Sequence, residues 1–163
     1  MSMNKSQNWI SGIIPLVLTA IITISATWAD VGFANTARTA AESICTKYSN
    51  DKKIIWFQGH WGYQYYMEQH GARSIDASHL QFQRGDIIAD PTTNTNLRPV
   101  PEQWVTVLDT LQLPSSSYAA TMDLNLGAGF YADVYGPLPF VFGFAKPEKF
   151  IIYNFNSALP AKQ

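Results

Sequence analysis

Ile54-Ile55-Trp56-Phe57-Gln58-Gly59-His60-Trp61-Gly62-Tyr63-Gln64-Tyr65-Tyr66-Met67 is the stretch from which the fold of this chain can be read. Its first four residues are a short, fully apolar run, as expected of a strand buried on both faces. Gly59 breaks that run. From about Trp61 to His70 the period changes to that of a helix, and Gly71 stands where a helix C-terminus wants a residue tolerant of positive φ. Tyr63, Tyr66, Met67 and His70 share one helical stripe, read as core. His60, Gln64 and Glu68 step by four along another face, with Trp61 and Tyr65 beside them.

Working outward, Arg73-Ser74-Ile75 and Asp86-Ile87-Ile88-Ala89 are further short strands. Asp90 to Pro101 is a polar, proline-bearing loop of a length that is often functional or mobile. Trp104 to Leu111 returns to strand character, and the C-terminal third alternates strand candidates with turns before a last strand, Phe150 to Phe155. Upstream, Phe33, Ala37, Ala40, Ala41, Ile44, Cys45 and Tyr48 form a helical stripe from Asp30 to about Tyr48, broken by Ser49-Asn50-Asp51. Strand, helix, strand, then mostly strands predicts an α/β to α+β domain: a mixed sheet with helices packed on it.

The N-terminal part differs in kind. No charged residue occurs between Lys5 and Asp30. As a helix the run 6–29 spans about 36 Å, against a hydrocarbon core of about 30 Å. Trp9 and Trp28 stand where interfacial aromatics belong. We therefore read 1–29 as a transmembrane anchor, with a cleaved signal peptide ending at Thr27-Trp28-Ala29 as the alternative. With Lys5 inside, 30–163 is a single extracytoplasmic domain. Thr19, Thr23 and Thr27 step by four. They either let a partner helix approach or bond back to their own helix carbonyls.

Composition excludes several functions. The chain has 163 residues, 47% hydrophobic, 13% aromatic and only 14% charged, so it is not a disordered segment. Eleven Lys and Arg against twelve Asp and Glu leave no basic field for nucleic acid. The single cysteine, Cys45, rules out an internal disulfide and a thiolate zinc cage.

Polar groups flanked by flat aromatic surfaces suit a sugar, whose CH face stacks while its hydroxyls seek hydrogen bonds. His60, Trp61, Gln64 and Tyr65 on the aromatic helix, with Asp86, are the candidate ligand contacts. The plainer reading of the same face is solvated surface with half-buried rings. Gly127-Ala128-Gly129-Phe130-Tyr131-Ala132 matches a dinucleotide-type string, but Gly136-Pro137 follows too soon for the required helix, which makes it a tight turn. His60, His70, His79, Glu68, Asp76 and Asp86 lack metal-ligand spacing, and Ser115-Ser116-Ser117 lacks the setting of a nucleophile. Glu68, Asp76 and Asp86 are carboxylates of the kind a glycosidase pairs, as any domain of this size offers. No catalytic residue, metal or cofactor follows.

Several of these strings occur together in a recognisable order. Trp28-Ala29-Asp30, Ala34-Asn35 and Arg38 lead from the apolar helix into the alanine-rich one. Gly59-His60-Trp61-Gly62-Tyr63-Gln64-Tyr65-Tyr66-Met67, Gly85-Asp86 and Gly136-Pro137-Leu138-Pro139-Phe140 follow. Most of the chain thereby resembles the C-terminal end of bacterial multi-pass glycosyltransferases of family 39 type, relatives of protein mannosyltransferases and lipid A aminoarabinose transferases. The resemblance implies a last membrane helix plus an extracytoplasmic domain, and a sugar taken from a polyprenyl-phosphate donor outside the cytoplasm. The early loop that carries the catalytic acid in such enzymes has no counterpart in this sequence. The expectation is therefore an accessory domain, contacting membrane lipid, a lipid-linked sugar and a multi-pass catalytic subunit. The alternatives are a non-enzymatic envelope binding or scaffold protein and, further off, a small secreted hydrolase.

Overall fold

The computed structural model describes residues 5–49, 53–76, 78 and 81–156. Asn50, Asp51 and His79, named above, lie outside them. One helix, α1 (Lys5–Tyr48), runs for 44 residues, about 66 Å at 1.5 Å per residue. The apolar segment and the alanine-rich segment are thus one continuous rod with two environments. From Ile13 to Trp28 its large side chains are exposed, Leu16 by 70% and Ile24 by 65%. Among the described residues, α1 is the one helix long and apolar enough to cross a membrane. From Ala29 onward it packs on the domain, burying Ala40, Ala41, Ile44 and Cys45. Thr19 Oγ1 donates to the Pro15 carbonyl at 2.8 Å, the local back-bonding alternative.

The strands are β1 (Ile55–Phe57), β2 (Arg73–Ser74), β3 (Ile87–Pro91), β4 (Val105–Leu113), β5 (Ala119–Ala120), β6 (Met122–Asp123), β7 (Ala128–Gly129), β8 (Val141–Phe142) and β9 (Glu148–Phe155). Five of them form a mixed sheet in the order β2-β1-β3-β9-β4. β1 is parallel to both β2 and β3, while β9 is antiparallel to β3 and β4. The pairs β5–β8 and β6–β7 make two small antiparallel ribbons. This is the mixed sheet with helices that the strand–helix–strand order predicts.

Side-chain alternation divides the core in two. Ile55, Phe57, Ile87, Ala89, Phe150 and Ile152 face α1 and the second helix, α2 (Trp61–Gln69). Tyr63 and Met67 are the side chains α2 buries there, Tyr63 standing edge-on to Phe57 with ring centroids 6.0 Å apart. Tyr66 is half-buried, whereas His70, placed on the same stripe by spacing, is exposed because α2 has already ended. On the opposite face Trp56, Ile88 and Phe155 are covered by loop residues including Phe82, Val100 and Trp104. Burial pushes the Cys45 thiol up to about 11, so it is packing material rather than a nucleophile.

Candidate functional site

The order β2-β1-β3 creates a switch point. The chain leaving β1 crosses through α2 to β2 on one side, while β3 lies on the other. At such a point the segments leaving two parallel strands diverge, and a crevice opens beyond their carboxyl ends. Here the diverging segments are Gln58-Gly59-His60 after β1 and the loop 92–101 after β3. Together with Ser74, Ile75, Asp76 and Ser78 at and after the end of β2, residues of these segments line an open cleft of about 780 Å³. His60, Ser74, Asp76, Ser78, Asn96 and Arg98 supply most of its polar wall, and Gln58 its floor.

Three amide side chains hold this edge together. Asn94, buried, accepts the His60 backbone N–H at 2.8 Å and donates to the His60 carbonyl at 3.3 Å. Gln58, also buried, accepts from the Arg98 backbone N–H at 2.8 Å and donates to the Arg98 carbonyl at 2.9 Å. Its Nε2 also reaches Asp90 Oδ2 at 3.1 Å. The third amide, Asn96, donates through Nδ2 to His60 Nε2. The other ring nitrogen, Nδ1, lies 3.2 Å from Gln64 Oε1. Gln64 Nε2 continues to Glu68 Oε1 at 2.8 Å. The i, i+4 face read from sequence is therefore a polar chain, Asn96–His60–Gln64–Glu68.

Backbone geometry at this edge is unusual. Gly59 has φ +100°, and a Cβ there would meet the Asn94 amide at 3.0 Å. Trp61 and Asn96 adopt positive φ, +58° and +57°, which only surrounding contacts make tolerable for non-glycine residues. Asp90, at the end of β3, keeps Oδ1 buried without a hydrogen-bond partner. Burial lifts its carboxyl to about 7, against the lowering effect of the Gln58 hydrogen bond.

The sequence candidates separate in space. His60 lines the cleft, and Gln64 supports it from behind. Trp61 instead faces α1, its ring 5.5 Å from that of Tyr131 and beside a hollow shared with Phe33 and Ala37. Trp61 opens α2 at positive φ, and its indole lines that hollow, which His60 also borders, rather than the cleft. Tyr65 is exposed on the outer surface of α2, accepting from Gln69 Nε2 at 2.8 Å. Asp86 lies at the opposite end of β3, 2% exposed. It accepts from Trp56 Nε1 at 2.8 Å, Gln83 N at 2.9 Å and Ile54 N at 3.1 Å, a structural carboxylate remote from the cleft.

Gln58, Asp90, Asn94, Asn96 and Arg98 were not singled out by spacing. The available signals were the length of the 90–101 loop and the position of Asp90 directly after an apolar strand. Among the described residues no three His, Cys, Asp or Glu side chains gather as a metal site.

A second, smaller hollow lies between the cleft residue His60 and α1. Phe33 and Ala37 share a hollow with His60, Trp61 and Asn94. They lie five and nine residues past Trp28, or about 8 and 14 Å along the helix axis. Comparison with known protein families, curated proteins and solved structures returns no match.

Proposed function

We propose that this chain is a membrane-anchored accessory or C-terminal domain of a glycosyltransferase that uses a polyprenyl-phosphate-linked sugar, and that it is not catalytic alone. In this reading the apolar half of α1 crosses the bilayer and 30–163 lies on the extracytoplasmic side. The cleft holds the hydroxyl-rich head of the lipid-linked sugar, and a multi-pass subunit supplies the catalytic acid. The observation that carries the reading is the position of the polar cleft. It opens at the carboxyl ends of β1 and β3, and one of its residues, His60, also borders a separate small hollow with Phe33 and Ala37 of α1, the helix that carries the membrane-length run. Amide, imidazole, hydroxyl, carboxylate and guanidinium groups around it match the mixed donors and acceptors of a sugar. The resemblance of the Gly59–Met67 string to family 39 type enzymes supports the same class of ligand.

The test is binding of a short-chain prenyl-phosphate hexose to the full chain in nanodiscs, compared with the prenyl phosphate alone. Tighter binding of the sugar-bearing compound, weakened by Asn96→Ala and Arg98→Ala but not by Arg84→Ala, is expected. Equal binding of the two compounds would remove the sugar from the proposal. The exposed ring of Tyr65 on the outer face of α2 favours a second reading, a scaffold protein of the envelope that uses this helix as a protein interface.

A further inference from the structure

The segment 124–144, Leu-Asn-Leu-Gly-Ala-Gly-Phe-Tyr-Ala-Asp-Val-Tyr-Gly-Pro-Leu-Pro-Phe-Val-Phe-Gly-Phe, has 21 residues, six aromatic rings and one charge, Asp133. A segment of that composition is expected in a core. Here much of it is on the surface: Phe130 is 60% exposed, Val134 69%, Phe142 57% and Phe144 85%. Isolated exposed apolar residues are ordinary, but a run of large ones with almost no charge between them marks an interaction surface.

Its place in the fold identifies what covers it. The unit is fixed to α1 at the residue that ends the uncharged run. Asp30 accepts the Tyr131 hydroxyl at 2.8 and 2.9 Å and the Thr121 hydroxyl at 3.3 Å. Close by, a Cβ on Gly32 would come within 3.0 Å of the Ser115 carbonyl, so backbone and helix are in direct contact there. Phe130, Pro139 and Phe140 then reach back past Asp30 to line a hollow of about 200 Å³ with Ala26 and Thr27. Those two residues belong to the uncharged run, one turn before its end. A helix that crosses a bilayer with Trp28 at the boundary carries its neighbours at Ala26 and Thr27 to the same depth.

We propose that this surface is a membrane-docking face whose occupant is the interfacial region of the lipid bilayer that α1 crosses. Aromatic side chains partition favourably to that region. The face is continuous with the lipid-exposed surface of α1, so both rest in one membrane. Docking would fix the tilt of the domain and hold the β1–β3 edge, with its cleft, at a constant height above the head groups. The inference rests on the membrane crossing of α1 proposed above, but not on the identity of the cleft's ligand.

The experiment uses the full chain in lipid-only nanodiscs, with an environment-sensitive fluorophore on single introduced cysteines. The native Cys45 is buried, its thiol raised, and does not compete for the label. Phe130→Cys, Leu138→Cys and Phe142→Cys report the face. Leu18→Cys reports the span, and Arg84→Cys the turn at the far end of β3. Each label is quenched in turn by iodide in the water and by a nitroxide near the head group of phosphatidylcholine. Loss of iodide quenching with strong lipid-nitroxide quenching at the three face positions, and the reverse at Arg84→Cys, is the expected result. If the label at position 18 meets lipid while the face labels remain as open to iodide as position 84, the docking proposal is overturned. That outcome includes the case of a face reserved for a protein partner. If the label at position 18 also meets no lipid, the membrane crossing itself fails and the docking falls with it.

Discussion

Asn94 grips both backbone groups of His60, accepting from its N–H at 2.8 Å and donating to its carbonyl at 3.3 Å. A single buried amide thus joins the segments that leave β1 and β3, both of which contribute residues to the cleft. The same amide would crowd a Cβ at Gly59, 3.0 Å away, where φ of +100° already favours glycine.

Asn94→Ala is expected to leave the His60 backbone N–H without its partner and the carbonyl with only the long bond from the Gln64 N–H at 3.5 Å. The loss should be about 1–3 kcal/mol, the usual cost of unsatisfied buried polar groups. Chemical denaturation of the full chain in detergent measures it. Ligand affinity in the cleft should fall with stability, because the amide positions the backbone at His60.

His60→Ala and Gln64→Ala test the polar chain on α2. Both side chains are half-buried and bonded mainly to one another and to exposed groups. Each substitution should therefore cost no more than about 1 kcal/mol. Loss of prenyl-phosphate hexose binding in His60→Ala, with an unchanged melt, would mark the imidazole as a ligand contact. Normal binding with a normal melt would leave the face as solvated surface.

Asp86→Ala should behave in the opposite way. Three donors converge on this carboxylate, one of them the Trp56 indole. Their simultaneous loss is expected to cost on the order of 3 kcal/mol or more. At a temperature where the variant is still folded, ligand affinity should match the parent, because the residue lies at the far end of β3.

Two buried carboxyls set a pH dependence. Burial raises Asp90 to about 7, opposed by the Gln58 hydrogen bond. It raises Glu148 to about 7 as well, opposed by a Thr93 hydrogen bond and assisted by the charge of Asp123. The folded state then holds protons that the unfolded chain releases above about pH 4. Stability from these groups is therefore greatest below that pH and declines as pH rises from about 4 to about 7, by up to a few kcal/mol. Thermal midpoints at pH 5 and pH 8 should differ in this direction, and Asp90→Asn with Glu148→Gln should narrow the gap. A midpoint higher at pH 8 than at pH 5, with the double variant unchanged, would contradict the assignment.

Gly136→Ala tests the chain crossing beneath the docking face. Gly136 has φ +146°, and a Cβ there would stand 2.1 Å from the Gly127 carbonyl oxygen. Backbone must move to accept it, so limited proteolysis should cut within 124–144 at protease levels that spare the parent. The sheet and the β1–β3 edge should remain protected.

The helix stripe of Ala40, Ala41, Ile44 and Cys45, the strand at Ile55–Phe57 and the buried pair Tyr63 and Met67 were legible in the sequence. Each is recorded in the local spacing of apolar residues, which a helix or strand converts directly into a face. The uncharged run of 6–29 was equally plain, because length and absence of charge decide whether a helix suits a bilayer. The candidate site was legible only in part. His60 could be picked out because it follows a strand and a glycine. Asn94 and Arg98 could not, since their bonds to His60 and Gln58 join residues 34 and 40 positions apart. No local period encodes such a pairing. It exists only once β1 and β3 lie side by side.

By itself, then, the sequence determined the elements and the faces they bury, because steric period and hydrophobic patterning act over a few residues. Only the tertiary structure decided what those elements do to one another. It turned Trp61 toward Tyr131 rather than into the cleft that His60 lines, and it closed Asp86 into a knot of backbone and indole donors. It also bound Tyr131 to Asp30 across 101 residues, bringing the apolar segment 124–144 against the end of the membrane-length helix. Hydrogen-bond partners and exposed surfaces are set by which strands become neighbours, and that is settled by the packing of the whole core rather than by any stretch of chain within it.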